Sequence, residues 1–258
     1  KKSVSKVLLN LWVVKGDASF SLQRPGEALQ AFDKAKGIAE KLGEDSAYIV
    51  YKLAWTHFNL KDPSTAISHL DDLLIRTQDK LSLRKEAVQD YALFIVDLED
   101  KELRNLGGVE GVFTYLSKVA GSDSTIRAFE SLGKNYYKNG HRPLALETYN
   151  LLLKQNAVDP KNITRALLVV EWSQSLADKW ELADKYQWLL KDFGPLSAWY
   201  SAQVLKPDVQ KNAYDRIEES LRKFSMSLHQ EATKETLAEI RDKRESVVAQ
   251  LYDAYLAA

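Results

Sequence analysis

The side chains able to do acid–base, nucleophilic or metal chemistry are few and scattered. There are four histidines, His57, His69, His141 and His229, and none stands in a ligand-spaced pair such as HExxH. A zinc site needs three or four converging nitrogen, sulfur or oxygen ligands, so no metal and no cofactor are expected. Cysteine is absent, which excludes disulfides, thiolate ligands and a thiol nucleophile. Two adjacent carboxylate pairs occur, Asp71–Asp72 and Glu218–Glu219. Neighbours on a helix point about 100° apart, so neither pair forms a shared acid–base site by itself. No nucleophile elbow, P-loop or dinucleotide fingerprint is present. Recognition rather than catalysis is therefore the expectation, and the chain is read as no enzyme. The alternative is a helical accessory domain of a cell-wall (peptidoglycan) lytic enzyme. Such chemistry would need two carboxyls about 5–9.5 Å apart across a sugar, a pair that folding would have to create.

Composition narrows the partner. Lys+Arg and Asp+Glu are both 36 in 258 residues. A nucleic-acid binder would carry a basic excess, so nucleic acid is not expected as a partner. No apolar run approaches the roughly 20 residues that span a bilayer, so no membrane insertion is expected. The chain begins at Lys1 without methionine or a signal-peptide core, and reads as a piece of a longer protein. With 11 Gly and 6 Pro among plentiful Leu, Ala, Lys and Glu, the chain reads as all-α.

The elements that must carry any site are helical hairpins. The clearest runs from Leu132 to Leu153: Leu132, Gly133 and Tyr136 on one helix face, a turn at Gly140, then Ala145, Tyr149 and Leu152 at helical steps. Gly133 and Ala145, twelve residues apart, would let two antiparallel helices approach closely. The same interval separates Gly16 from Ala28 and Ala54 from Ala66. The expected hairpins are 6–41, 46–77, 84–120, 125–156 and 162–193. The third carries an insertion within Leu98–Gly108, whose charged DLEDKEL stretch is expected in solvent. Residues 196–258 are expected to form one longer antiparallel pair, with Tyr214, Ile217, Leu221, Phe224 and Leu228 on one stripe and Val247, Val248, Leu251, Tyr252 and Tyr255 on the other. A capping box at Thr236–Glu239 would restart the helix.

The small residues of the second helices, Ala28, Ala66, Gly111, Ala145 and Ala183, are spaced by 38, 45, 34 and 38. With the pattern inside each hairpin, this resembles the tetratricopeptide repeat (TPR), over about Lys6–Phe193. The resemblance implies a right-handed superhelical solenoid that works as a protein–protein scaffold. LRKFSMSLHQEATK, AQLYDAYL and YKLAW resemble more narrowly the long repeat proteins of the bacterial envelope and gliding-motility machinery. That likeness implies the periplasm or cell envelope, with the cytoplasm as alternative.

In this repeat class the first helices line the concave face, and the resemblance thereby nominates a partner site. The second hairpin would present Tyr48, Tyr51, Trp55, Phe58 and Asn59, with aromatics in excess of what Leu53, Ala54 and His57 need for packing. Rings of this kind dominate binding hot spots; the competing reading is that they pack on neighbouring first helices. The fourth would present Arg127, Glu130, Lys134, Tyr137 and Lys138, suited to an acidic peptide or a terminal carboxylate. Arg165 and Trp172 would extend the surface into the fifth. The Lys/Asn clamp of chaperone-binding members is replaced here by Val13 and Asp17. The expected partner is a protein or peptide.

Overall fold

Short polar turns between amphipathic helices make this chain fold as hairpins. The computed structural model describes residues 2–76, 81–176 and 178–257. Among these residues all regular structure is helical, as the composition requires. The limits expected at residues 77 and 258 lie outside the described residues. The chain divides into two compact units, one running to His141 and one from Arg142.

The N-terminal unit begins with α1 (Lys2–Ser21) and α2 (Pro25–Leu42), then α3 (Ala47–Asn59) and α4 (Pro63–Arg76). Proline at the first position of α2 and of α4 marks each return helix, since its missing N–H is not needed there. Asp62 caps α4 by accepting the Thr65 N–H at 3.1 Å. α2 lies between α1 and α3, and Leu9, Ala28, Phe32, Ala35, Ala39, Ile49 and Leu53 form their shared core. The close approach is made at Gly16: a Cβ there would lie 2.5 Å from the Phe32 ring. The opposite side of α1 leaves Val4, Val7, Leu8, Leu11 and Val14 exposed.

The unit continues with α5 (Leu81–Phe94), a 3-10 turn (Ile95–Asp97), α6 (Asp100–Asn105), α7 (Gly108–Ala120) and α8 (Ser122–Lys138). The insertion thus carries its own short helix rather than an open turn. Glu102 accepts the Glu99 N–H at 3.0 Å, its carboxylate receives the Ser64 hydroxyl of α4, and Leu103 is buried. Gly111 is small for a local reason, since a Cβ would meet the Leu106 carbonyl oxygen at 2.5 Å across the α6–α7 turn. α5 packs mainly against α8 rather than α7.

The C-terminal unit comprises α9 (Arg142–Gln155), α10 (Asn162–Ser173), α11 (Lys179–Phe193), α12 (Ala198–Ala202), α13 (Pro207–Lys234) and α14 (Ala238–Ala257). The unit boundary falls at the turn of the hairpin expected over 125–156. Within its own unit α8 packs on α5 and α7, and within the other α9 packs on α10. Ala28, Ala66, Ala145 and Ala183 are all buried, as close-packing residues must be. α13 and α14 pack together, with Ile217, Leu221, Leu228, Val248 and Leu251 buried. Tyr214 and Tyr252 point outward instead. The helix restarts at Ala238, and the Leu237 N–H is taken by Glu235 at 3.1 Å, in place of the expected capping box.

Candidate partner-binding face

The aromatic stripe of α3 is built into its neighbours on both sides. Tyr48 donates its hydroxyl to Asp17 Oδ1 of α1 at 2.8 Å, and Lys52 Nζ lies 3.3 Å from the same oxygen. Lys52 also sits over the Phe20 and Tyr48 rings at 5.1 and 5.4 Å. Burial and then the Asp17 hydrogen bond push the Tyr48 phenol up. Toward α5, the Trp55 indole N–H donates to Asp90 Oδ2 at 2.9 Å. Tyr51 meets the same carboxylate; burial first, then that bond, pushes its phenol up to about 12. Phe58 stacks on Phe94 at 4.2 Å, and Trp55 turns its edge to Phe94 at 5.1 Å. Each contact joins first helices of successive hairpins, so α1, α3 and α5 stand side by side here. Packing on neighbours and presentation to a partner therefore coexist: Tyr48 is 47% exposed, Tyr51, Trp55 and Phe58 are half-buried, and Asn59 is exposed.

Asp90 was not legible as part of this face from its own neighbourhood. The signal was the interval to Trp55, 35 residues, close to one repeat. Burial raises the Asp90 carboxyl above the ordinary range, opposed by the bonds from Tyr51 and Trp55. Beside it, Tyr91 and Tyr115 hold the buried carboxyl of Asp71 in the same way, and burial raises that group too.

On α8, Arg127, Lys134 and Lys138 are exposed and make no ion pair among the described residues. Tyr137 is half-buried between them. This is a cationic stripe one helix further along, on the helix that packs against α5.

Arg165 and Trp172 do not extend the surface, and their nomination is corrected. Arg165 is 3% exposed. Its guanidinium donates to Asp159 Oδ2 and to Asn162 Oδ1, both at 2.7 Å. The segment carrying Asp159 is pinned from the other side: Trp199 Nε1 donates to the Asp159 carbonyl and Gln203 to the Val158 carbonyl, each at 2.8 Å. Trp172 is also 3% exposed and packs against the Tyr149 ring at 4.7 Å.

His57 Nδ1 lies 3.3 Å from Asp62 Oδ2, and its ring is 5.2 Å from His69. Burial alone would raise Asp62, but its bonds from Thr65 and His57 hold its carboxyl below the usual range. Burial, then the neighbouring His57 and Lys36, pushes His69 down. Among the described residues no three His, Cys, Asp or Glu side chains are grouped to hold a metal. Asp71 points at tyrosines while Asp72 pairs with Arg76 at 2.5 Å. Glu218 and Glu219 each pair along α13, with Arg222 at 3.0 Å and Lys223 at 2.6 Å. No described helix is long and apolar enough to cross a membrane.

No protein-family model matches the chain, and no curated protein sequence does. Several solved structures are similar at low identity. The Rap conjugation gene regulator of the plasmid pLS20, in complex with a Phr peptide, is 12% identical, with 96% of this chain and 74% of that one covered and a TM-score of 0.37. The TPR2AB domain of yeast Sti1, in its pHSP90 complex, is 13% identical over 96% and 98%, with a TM-score of 0.35. The C-terminal part of a TPR repeat-containing protein from Cytophaga hutchinsonii is 16% identical over 94% and 93%, with a TM-score of 0.38. At this level of superposition, the hairpin packing of the chain itself carries the description of its fold.

Proposed function

We propose that this chain is a non-catalytic interaction scaffold. Its working face is the row of first helices α1, α3, α5 and α8, and its partner is a peptide or a helix of another protein. One observation carries the reading: Tyr48, Tyr51, Trp55 and Phe58 form an unbroken, partly exposed aromatic row whose positions are fixed by Asp17, Asp90 and Phe94. Rings held this way lose little entropy on contact with a partner and offer large apolar area. Arg127, Lys134 and Lys138, which make no ion pair among the described residues, add cations at the α8 end of the row, which favours an acidic segment. Nucleic acid is not proposed, since the chain has no net positive charge. The envelope-like sequence stretches make the periplasm or cell envelope the compartment we propose.

The test is capture from envelope extract, followed by the variants Tyr48→Ala and the pair Lys134→Glu with Lys138→Glu. Both variants should keep the helical circular-dichroism signal and lose the captured partner. Capture unchanged in both would remove the face from consideration. Release of soluble fragments from purified peptidoglycan would replace the scaffold reading with a lytic one.

A further inference from the structure

α1 carries an apolar stripe on the side turned away from α2. Val4, Val7, Leu8, Leu11 and Val14 are 44–72% exposed there, and Ala18 is exposed beyond them. Val4, Val7, Leu11, Val14 and Ala18 follow one another at alternating steps of three and four. That is the a and d spacing of a coiled-coil seam, which takes one partner helix crossing at about 20°. The charges beside the stripe are held by their own chain. Lys6 lies 3.0 Å from Glu44, and Lys15 Nζ sits 5.1 Å from the centre of the Trp12 ring. Asp17, the one carboxylate of α1, is taken by Tyr48 and Lys52.

This face differs from the one by which later first helices receive the second helix of the hairpin before them. Counted from Gly16 and Ala54, Leu11 and Lys15 stand where α3 has Ile49 and Leu53, which are buried in the core shared with α2. Counted from Gly133, α8 has Ala128 and Leu132 at the same places, both buried. A second helix set on α1 in the repeat manner would cover the Lys15 ammonium, and burying a charge without a partner is costly. Val14, 64% exposed, stands where α3 has Lys52, so the stripe is turned away from the repeat face. A helix with the same three–four spacing suits it, and α1 is itself such a helix. Laid antiparallel, Val4 faces Val14 of the other copy and Val7 faces its Leu11. The two Lys15 positions then lie about 18 Å apart along the helices, beyond a Debye length, whereas a parallel pair would set them side by side. Covering the stripe hides on the order of 500 Å² per chain, about 1,000 Å² in total, the lower end of specific interfaces. α1 is already ordered by α2, so pairing loses little chain entropy. We infer that two copies of this chain associate through α1, antiparallel, along the seam of Val4, Val7, Leu11 and Val14. This seam is distinct from the aromatic row on α3 and takes a different partner.

The experiment is sedimentation velocity on the whole chain over a range of concentrations. A reversible monomer–dimer equilibrium is expected, with Kd on the order of 10 μM for an interface of this size. Leu11→Glu sets a charge in the seam and should weaken the dimer more than about tenfold. Val7→Ser, also at an exposed position, repeats the test if Leu11→Glu disturbs the fold by circular dichroism. Leu205→Glu, at a 91% exposed position in the other unit, should leave the dimer intact. Lys134→Glu with Lys138→Glu should also leave it intact, so failure here and failure of the first-helix face are read separately. Orientation is read by oxidative cross-linking, since the chain has no cysteine of its own. A mixture of Val7→Cys and Leu11→Cys chains should form the mixed disulfide in preference to either self-linked product. A monomer at every concentration, a dimer indifferent to both Leu11→Glu and Val7→Ser, or self-linked Val7→Cys as the main product overturns the proposal.

Discussion

Tyr48 and Trp55 on α3 stand where Arg165 and Trp172 stand on α10, counting along each hairpin, and the two pairs meet opposite fates. Tyr48 is 47% exposed, whereas Arg165 and Trp172 are each 3% exposed. On α3 the polar ends of the rings reach carboxylates on adjoining first helices, which leaves ring area in solvent. On α10 the segment before the helix folds across the position, and Asp159 closes over Arg165. The same repeat position thus serves as surface in one unit and as core in the other. What differs is the segment before the helix, and whether it is pinned down, as Trp199 and Gln203 pin Asp159 and Val158.

The largest effects should come from attacking the closed position. Trp172→Ala should cost about 4 kcal/mol, as expected for a large buried aromatic. Trp55→Ala should cost about 2 kcal/mol, because part of its ring is already in water. Equal losses in urea denaturation of the two variants would erase the contrast. Arg165→Ala should cost about 1–3 kcal/mol, by removing a buried guanidinium and its hydrogen bonds to Asp159 and Asn162.

Next in size is the carboxylate behind the open face. Asp90→Ala strands the Trp55 N–H and the Tyr51 hydroxyl and should cost about 1–3 kcal/mol. Asp90→Asn keeps an acceptor, removes a buried charge, and should be neutral or stabilising at pH 7 in the same denaturation experiment. The contrast between these two variants separates a hydrogen-bond role from a charge role.

Asp71 and Asp90 are raised by burial, so the folded chain holds their protons more tightly than the unfolded one. Their contribution is complete below the ordinary value of 3.8 and is lost as pH rises through the raised value. His69 is pushed down from 6.5 by burial and then by His57. It carries no penalty above 6.5, and stability falls as pH drops from there through its lowered value. His69→Gln should flatten the urea-midpoint profile on the acid side of pH 6.5, and Asp90→Asn should flatten the decline upward from 3.8. A profile left unchanged by either variant would show that the group is not desolvated as placed.

The smallest stability effect belongs to α8. Lys134→Glu with Lys138→Glu should change the unfolding free energy from urea denaturation by no more than about 0.5 kcal/mol, since both side chains are exposed and make no ion pair among the described residues. Their effect should appear in partner capture alone, and a large loss of stability would place them in the packing.

Much of the helical framework was legible in the chain before folding. Small residues set twelve apart, Pro63 after Asp62, and Gly140 at a turn are local signals, and helix formation and capping are local events. Ala28, Ala66, Ala145 and Ala183 are buried because a second helix can approach only where Cβ atoms are few. Long-range choices were not legible. A helical stripe specifies which residues share a face, but not which neighbour covers that face. The pairing of α5 with α8, the lid of Asp159 over Arg165 and the Asp90 anchor for Trp55 each depend on segments that meet only after folding. Those contacts divided similar repeat positions into core and surface, since desolvation and hydrogen-bond satisfaction are properties of the assembled neighbourhood.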